Sequence, residues 1–206
     1  MRIGILGSGG VGQSLAAGFV RRGHDVRLGT RRPTDRAVKA GTPATYAETA
    51  KHAELALLCT PWSGTEHALG LAGADHLAGK VVIDVTNPLE TSGGRPRLAL
   101  GHRDSGGERV QARLPRSHVV KCFNIINQAY MVDPEFPGGP PDMFLCGNDA
   151  AAKQTVTEIC HAFGWPSVID VGGIEGARLL EPLAMLWIEC AIRRSSGDHA
   201  WKLLRK

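Results

Sequence analysis

The sequence predicts an α/β protein with a Rossmann-type, doubly wound, mainly parallel sheet and a small C-terminal α/β extension ending in a long helix. Two observations support this fold class: short apolar runs alternate with amphipathic stretches, and a glycine-rich turn joins the first run to the first helix. Such alternation is typical of a parallel sheet covered by helices on both faces. We expect one domain over residues 1–206, with about 142–206 as an extension packed on it, because no linker or internal repeat divides the chain.

The first strand and the turn after it match a dinucleotide-binding fingerprint. Residues 1–6 form a short apolar strand, and the six residues after it fit G-x-G-x-x-G: Gly7, Ser8, Gly9, Gly10, Val11 and Gly12. Gly7 permits the sharp turn, Gly9 lets a pyrophosphate approach the backbone, and Gly12 lets the helix pack closely on the sheet. The free N–H groups at the start of the helix would face the phosphates. The alternative is a glycine turn that serves packing alone.

The end of the second strand predicts which dinucleotide is bound. NAD sites usually place an acidic side chain here to bond the ribose 2′-hydroxyl. After the strand at 25–28, this chain instead carries Thr30, Arg31 and Arg32. A hydroxyl and two guanidinium groups suit a 2′-phosphate, which an acid would repel. We therefore expect NADP(H) rather than NAD(H); the alternative is a pair of solvated surface arginines.

The remaining elements follow from the same periodicities. Apolar runs predict strands at 54–60, 80–85, 118–123, 143–146 and 167–171. Helical periodicity and capping residues predict helices at 46–52, 64–77, 107–114, 149–163 and 175–194. Residues 33–45 should contain a short helix and a loop, and residues 90–107 and 128–141 should be irregular.

Polar or aromatic residues follow three of these strands. In a parallel sheet, ligands bind at the carboxyl ends of the strands. The candidates there are Thr60, Pro61, Trp62, Asn87 and Asn124. Trp62 could wall a nicotinamide pocket or simply pack. The two asparagines could bond cofactor amides or cap the next element, and their shared placement favours the crevice.

Composition excludes several classes of function. The net charge of +4 comes from scattered basic residues, so we expect no nucleic-acid partner. No apolar run approaches the ~20 residues of a membrane span, and the first ten residues are themselves strand and loop rather than a signal peptide. Five cysteines without a C-x-x-C pair predict reduced thiols and a cytoplasmic protein. The dispersed histidines predict no metal site, and no catalytic side-chain constellation is visible.

The last predicted helix has a broader apolar face than packing on one sheet requires. The apolar residues of this face are Leu179, Leu180, Leu183, Leu186, Trp187, Cys190 and Ala191. We therefore expect a homodimer built partly on this helix.

Seven segments, in order, resemble one known family. They are the opening loop, GTRRP at 29–33, CTPW at 59–62, VIDVTNP at 82–88, VVKCFNIIN at 119–127, FLCGND at 144–149 and GARLLEPL at 176–183. The chain resembles the NADPH-dependent coenzyme F420 reductases, including the similar oxidoreductase domains of the STEAP metalloreductases. Archaeal F420 reductases carry a histidine, in a stretch resembling L-H-T-I-P, where this chain has residues 123–127, FNIIN. In that stretch the chain looks more like the STEAP proteins.

The resemblance implies an NADP(H) site with Gly9, Gly10, Val11, Thr30, Arg31 and Arg32 near the phosphates. It places Thr60 and Pro61 near the nicotinamide. The leading hypothesis is an NADP(H)-dependent oxidoreductase that exchanges hydride with a small-molecule acceptor of flavin type, coenzyme F420 or FMN/FAD. The alternatives are a non-catalytic NADP(H)-sensing module and a small carbonyl or imine reductase, which would need a proton donor.

Overall fold

A computed structural model describes residues 1–35, 37–204 and 206. Its described residues form one eight-stranded sheet, a two-stranded hairpin and helices. The sheet strands are β1 (Arg2–Leu6), β2 (Asp25–Gly29), β3 (Thr42–Ala44), β4 (Leu55–Leu58), β5 (Val81–Asp84), β8 (His118–Lys121), β9 (Asp142–Gly147) and β10 (Ser167–Asp170); β6 (Leu89–Glu90) and β7 (Arg97–Leu98) form the hairpin. The helices are α1 (Gly10–Arg21), α2 (Tyr46–His52), α3 (Trp62–Ala72), α4 (Ala74–Leu77), α5 (Gly106–Arg113), α6 (Ala150–Ala162) and α7 (Ala177–Arg194).

The sheet confirms the predicted Rossmann-type, mainly parallel architecture. Its strand order is β10-β9-β8-β5-β4-β1-β2-β3. The strands from β3 to β8 in this order run parallel, whereas β9 pairs antiparallel with β8 and β10 runs parallel to β9. The order reverses between β1 and β4, and this switch point is where such sheets bind ligands.

The carboxyl ends of the central strands lie level with one another. Leu6 pairs with Gly29 on one side and Leu58 on the other, Leu58 pairs with Asp84, and Asp84 pairs with Lys121. The residues that follow these five positions therefore meet along one edge of the sheet.

Two apolar layers cover the faces of the sheet. The layer on one face includes Leu15 and Phe19 of α1 and Val156 of α6. The layer on the other face includes Leu69 of α3 and Leu180 of α7. These residues are at most 5% exposed, so burial of helix stripes on both faces holds the strand ends in place.

The segment at 33–45 differs from its prediction. Its described residues contain turns and the strand β3 but no helix. Gly41 takes a left-handed φ of 77°, and Pro43 pairs in register with Leu28 at the edge of the sheet. Proline is tolerated in an edge strand, and pairing with β2 overrides local helix propensity.

Three other boundaries also differ from the sequence predictions. The helix expected at 64–77 divides into α3 and α4 at Gly73, whose φ is 79°. The stretch expected to be irregular at 90–107 contains the strand β7 and the start of α5, and β7 pairs with β6 in the hairpin. A 3₁₀ turn at Ile174–Gly176 precedes the long helix. Side chains cap the starts of α2 and α6: Thr45 forms a capping box with Glu48, and the Asp149 side chain accepts from the Ala152 N–H.

Candidate functional site

Two adjoining cavities lie at the carboxyl ends of the strands. The loop cavity, of about 700 Å³, is lined by Gly7, Ser8, Gly9, Thr30, Arg31, Arg32, Asp35, Tyr46, Cys59, Thr60 and Pro61. The strand-end cavity, of about 440 Å³, is lined by Gly9, Gly10, Val11, Cys59, Thr60, Pro61, Trp62, Ser63, Val85, Thr86, Asn87, Leu89, Thr91 and Gln128. The four residues that the linings share make the two cavities parts of one crevice.

The glycine loop has the geometry that its sequence predicts. Gly7 has a φ of 127°, and a side chain there would strike the Cys59 carbonyl. Gly12 is required because a Cβ would overlap the Gly7 carbonyl oxygen. Gly9 differs from both, since a Cβ there would have no described protein atom within 4 Å. The loop therefore leaves its middle glycine open to the crevice, where an anion could approach the backbone.

The strand end after β2 presents a cationic wall to the loop cavity. Arg31 and Arg32 are exposed, and neither pairs with an acidic side chain among the residues described. The Thr30 hydroxyl accepts a hydrogen bond from the Arg32 N–H at 3.4 Å, which helps to order this tip. Asp35 also lines the cavity, so the two guanidinium charges are partly offset by one carboxylate.

Tyr46 lines the loop cavity although the sequence reasoning did not include it in the site. It is the first residue of α2, and its Cδ1 atom lies 3.1 Å from where a Gly29 Cβ would stand. Burial raises the pKa of the Tyr46 hydroxyl, and the nearby Arg31 charge opposes that shift. No local pattern marks Tyr46, because the pairing of β3 with β2 is what brings α2 to this strand end.

Neutral side chains surround the strand-end cavity. Trp62 begins α3 directly after Pro61 and is half-buried. Gln128, which the sequence reasoning also missed, comes from the loop after β8 and lies over Gly10, where its side chain would strike a Cβ. Not one charged side chain stands among the described residues of this lining.

Asn124 lies behind the strand-end cavity and does not line either cavity. It is 6% exposed. Its Nδ2 donates to Asn87 Oδ1 at 3.0 Å and to the Leu180 carbonyl at 3.1 Å. Asn87 in turn donates from its Nδ2 to the Asn124 carbonyl at 2.8 Å. Of the two predicted asparagines, Asn87 therefore faces the cavity, and Asn124 orients it.

Cys59 is the cysteine that lines both cavities. Burial raises the pKa of its thiol well above the ordinary value, and the Asp84 charge adds to that shift. A thiol in this setting stays protonated at neutral pH and is a poor nucleophile. Among the residues described, no group of three or more His, Cys, Asp or Glu side chains is arranged to hold a metal ion. A search of the same residues finds no helix long and apolar enough to cross a membrane.

Comparisons with known proteins identify the family that the chain is similar to. A family model described as NADP oxidoreductase, coenzyme F420-dependent, matches residues 2–88. The F420-dependent NADP reductase of Methanocaldococcus jannaschii is 30% identical over 72% of this chain and 67% of that relative. The metalloreductase STEAP3 of Rattus norvegicus is 34% identical over 90% of this chain, which spans only 37% of its length.

A solved structure matches the whole chain. It is an Arthrobacter sp. FB24 protein assigned to the F420-dependent NADP reductases, with a TM-score of 0.95 and 37% identity over 100% of both chains. The similarity therefore extends past residue 88 to the antiparallel strand and the long helix.

Proposed function

The chain belongs to the family of F420-dependent NADP oxidoreductases, and from this premise we propose that it passes hydride between NADPH and a flavin-type acceptor. As a member of this family it is an NADP-dependent oxidoreductase. The acceptor class, coenzyme F420 or FMN/FAD, and the residues that hold each group are part of the proposal.

The loop cavity suits the phosphate half of NADP(H). Its open backbone at Gly9 and the first N–H groups of α1 would receive the pyrophosphate. Arg31 and Arg32, with the Thr30 hydroxyl, would hold the 2′-phosphate. Val11, which lines the strand-end cavity, and Thr60, which lines both cavities, would flank the path of the cofactor towards the strand-end cavity.

The strand-end cavity would hold the nicotinamide and the acceptor together. When bound, the nicotinamide supplies the hydride, and the protein contributes orientation and exclusion of water. Trp62 offers an apolar wall, Pro61 shapes the entrance, and Asn87 offers hydrogen-bonding groups to a ring amide.

The neutral lining is the observation that carries this proposal. A cavity without a charged side chain among its described residues offers no general acid or base of ordinary strength. Hydride exchange between two ring cofactors needs none from the protein. Neither tyrosine lines this cavity, so a carbonyl or imine reductase that uses a tyrosine proton donor is not supported.

Rapid mixing of the protein with NADPH and one acceptor at a time tests the proposal. We expect loss of NADPH absorbance with coenzyme F420, FMN or FAD, and no loss with a simple ketone. Tight NADPH binding without oxidation in the presence of any of the three acceptors would contradict the proposal and favour the sensing module.

The proposal also includes a cytoplasmic location and assembly as a homodimer. All five cysteines are free, four of them buried, which supports a reducing compartment such as the cytoplasm.

A further inference from the structure

Three charged side chains form a buried cluster beneath the strand-end cavity. Lys121, at the end of β8, is 0% exposed, and its Nζ lies 2.9 Å from Asp84 Oδ2 and 2.8 Å from Glu181 Oε1. Asp84 ends β5 and is 0% exposed, and Glu181, on α7, is 1% exposed. The buried charged cluster, defined as these three residues, carries one positive and two negative formal charges.

The cluster is bonded to the backbone behind one wall of the cavity. Lys121 Nζ donates to the Thr86 carbonyl at 2.7 Å. Asp84 Oδ1 accepts from the Thr86 N–H at 2.9 Å and from the Thr86 hydroxyl at 2.7 Å. Thr86 lines the cavity and precedes Asn87. The cluster therefore holds the N–H, the hydroxyl and the carbonyl of Thr86.

The same cluster also reaches the part of the wall that Trp62 forms. Glu181 accepts from the Gly106 and Gly107 N–H groups, each at 3.0 Å, at the start of α5. The Trp62 ring packs on Gly106, with its Cζ3 atom 3.1 Å from where a Cβ would stand. Trp62 and Asn87 are therefore supported from behind by one set of charges.

A third connection runs through α7. Asn124, which bonds Asn87, also donates to the carbonyl of Leu180, the residue before Glu181. The helix that supplies Glu181 is thus bonded to the asparagine pair as well as to α5.

A buried ion cluster is weak evidence for stability. Burying ions is costly, and replacing such groups by apolar residues of similar size is often neutral or stabilising. Burial by itself lowers the pKa of Lys121, but the Asp84 and Glu181 carboxylates outweigh it and raise that pKa. The lysine is therefore charged in the folded protein. An apolar core would lack the directional hydrogen bonds that this cluster makes.

We propose that Lys121, Asp84 and Glu181 are positioning residues that set the spacing between Trp62 and Asn87 across the strand-end cavity. The inference rests on the proposed function, since that spacing is where the nicotinamide and the acceptor would stack. It assigns no chemical step to the cluster, whose members act only through the walls they support.

Two variants and one control test the proposal. Glu181→Gln keeps the size of the side chain and loses one buried charge and the bond to Gly106. The triple variant Asp84→Asn, Lys121→Met, Glu181→Gln removes every charge of the cluster. The control Lys153→Met breaks the ion pair between Lys153 Nζ and Asp170 Oδ2, which are 2.6 Å apart. This ion pair lies on the side of the sheet that contains β9 and β10.

The measurements separate binding from transfer. NADPH affinity should stay within about threefold of wild type, because the loop cavity is untouched. The single-turnover rate of NADPH oxidation by coenzyme F420 and by FMN should fall about tenfold or more, since small misplacements of reacting rings are costly. Emission of bound NADPH on excitation of tryptophan reports the position of Trp62. The contribution of Trp62 to this emission, called the Trp62 share, is the part that is lost in the variant Trp62→Phe. That share should drop in both variants and stay unchanged in Lys153→Met.

Wild-type rates together with an unchanged Trp62 share in Glu181→Gln would overturn the proposal, whether or not the triple variant folds. If wild-type protein binds NADPH but oxidises it with neither acceptor, the proposed function fails. In that case the Trp62 emission still decides the role of the cluster.

Discussion

At the scale of single residues, the choice of dinucleotide depends on three neighbours at one strand end. Arg31 and Arg32 are exposed and line the loop cavity, and Thr30 orders the tip. Asp35 lies in the same lining, so the arginines must outweigh one carboxylate. Charge-assisted hydrogen bonds to a phosphate are strong enough for this, at roughly 1.5–3 kcal/mol each.

Removing either arginine should therefore weaken NADPH binding by about ten- to a hundredfold, since ~1.4 kcal/mol is tenfold. NADH binding should barely change in Arg31→Ala or Arg32→Ala, because NADH lacks the 2′-phosphate. Thr30→Asp combined with Arg31→Ala should invert the preference, by adding repulsion of the phosphate and a partner for the hydroxyl. Dissociation constants for both dinucleotides provide the measurement, with Arg103→Ala, an exposed arginine outside both cavities, as the control. Equal losses of NADPH and NADH would show that the arginines are structural.

At the scale of elements, α7 has more apolar surface than its own core contacts cover. Leu180 and Ala184 are 2% exposed and pack in the core, whereas Leu179 is 67% exposed and Leu186 is 52% exposed. Pro182 lies inside the helix on the exposed side. The apolar face expected from the sequence is thus divided, with one part in the core and one part in contact with solvent.

We propose that the exposed part of α7 closes a homodimer, because exposed apolar patches of this kind commonly mark interfaces. Sedimentation at micromolar concentration should give a dimer for the wild type and a monomer for Leu179→Glu with Leu186→Glu. The double variant should still fold and bind NADPH, since neither leucine lines a cavity. Leu71→Glu, on α3 and 45% exposed, is the matched control and should remain dimeric. A wild type that sediments only as a monomer would rule the dimer out.

At the scale of the whole molecule, burial of thiols couples stability to pH. Burial raises the pKa of Cys59 and Cys122 well above the ordinary value, and it raises the pKa of Cys146 to about 12. The folded protein therefore keeps these protons at a pH where the unfolded chain releases them. By linkage, their stabilising effect is complete below the unfolded pKa of about 8.5 and declines as pH rises above it.

The free energy of unfolding should consequently fall from near pH 8.5 to about pH 10, with a slope of up to ~1.4 kcal/mol per pH unit for each buried thiol. Urea unfolding across this range measures the slope. Cys146→Ser should reduce the slope by the contribution of one thiol, whereas Cys190→Ser, at a partly exposed cysteine on α7, should leave it unchanged. Stability that stays constant up to about pH 10 would contradict the effect of thiol burial.

The domain organisation also belongs to this scale. Strands β9 and β10 extend the main sheet rather than forming a second one. The Trp201 carbonyl of the C-terminal segment accepts from the Asp142 N–H at the start of β9, at 2.9 Å. These contacts support the proposal that residues 1–206 form one domain with an extension from about 142.

The features that depend on local chemistry could be predicted from the amino-acid sequence alone. The turn at Gly7, the close packing at Gly12 and the cationic tip at Arg31 are properties of short segments, since φ, side-chain volume and charge act within a few residues. The alternation of apolar runs and helices likewise predicted the parallel strands whose carboxyl ends form the crevice.

Which distant residues meet in the crevice depends instead on how the elements pack together. Tyr46 reaches the loop cavity because β3 pairs with β2, and Asn124 lies behind Asn87 because α7 covers the end of β8. The contact between Lys121 and Glu181 joins residues 60 positions apart, and as a buried ion pair it has no periodicity to reveal it. Local pattern encodes which face of an element is apolar, whereas the pairing of elements depends on the free energy of the whole packed sheet.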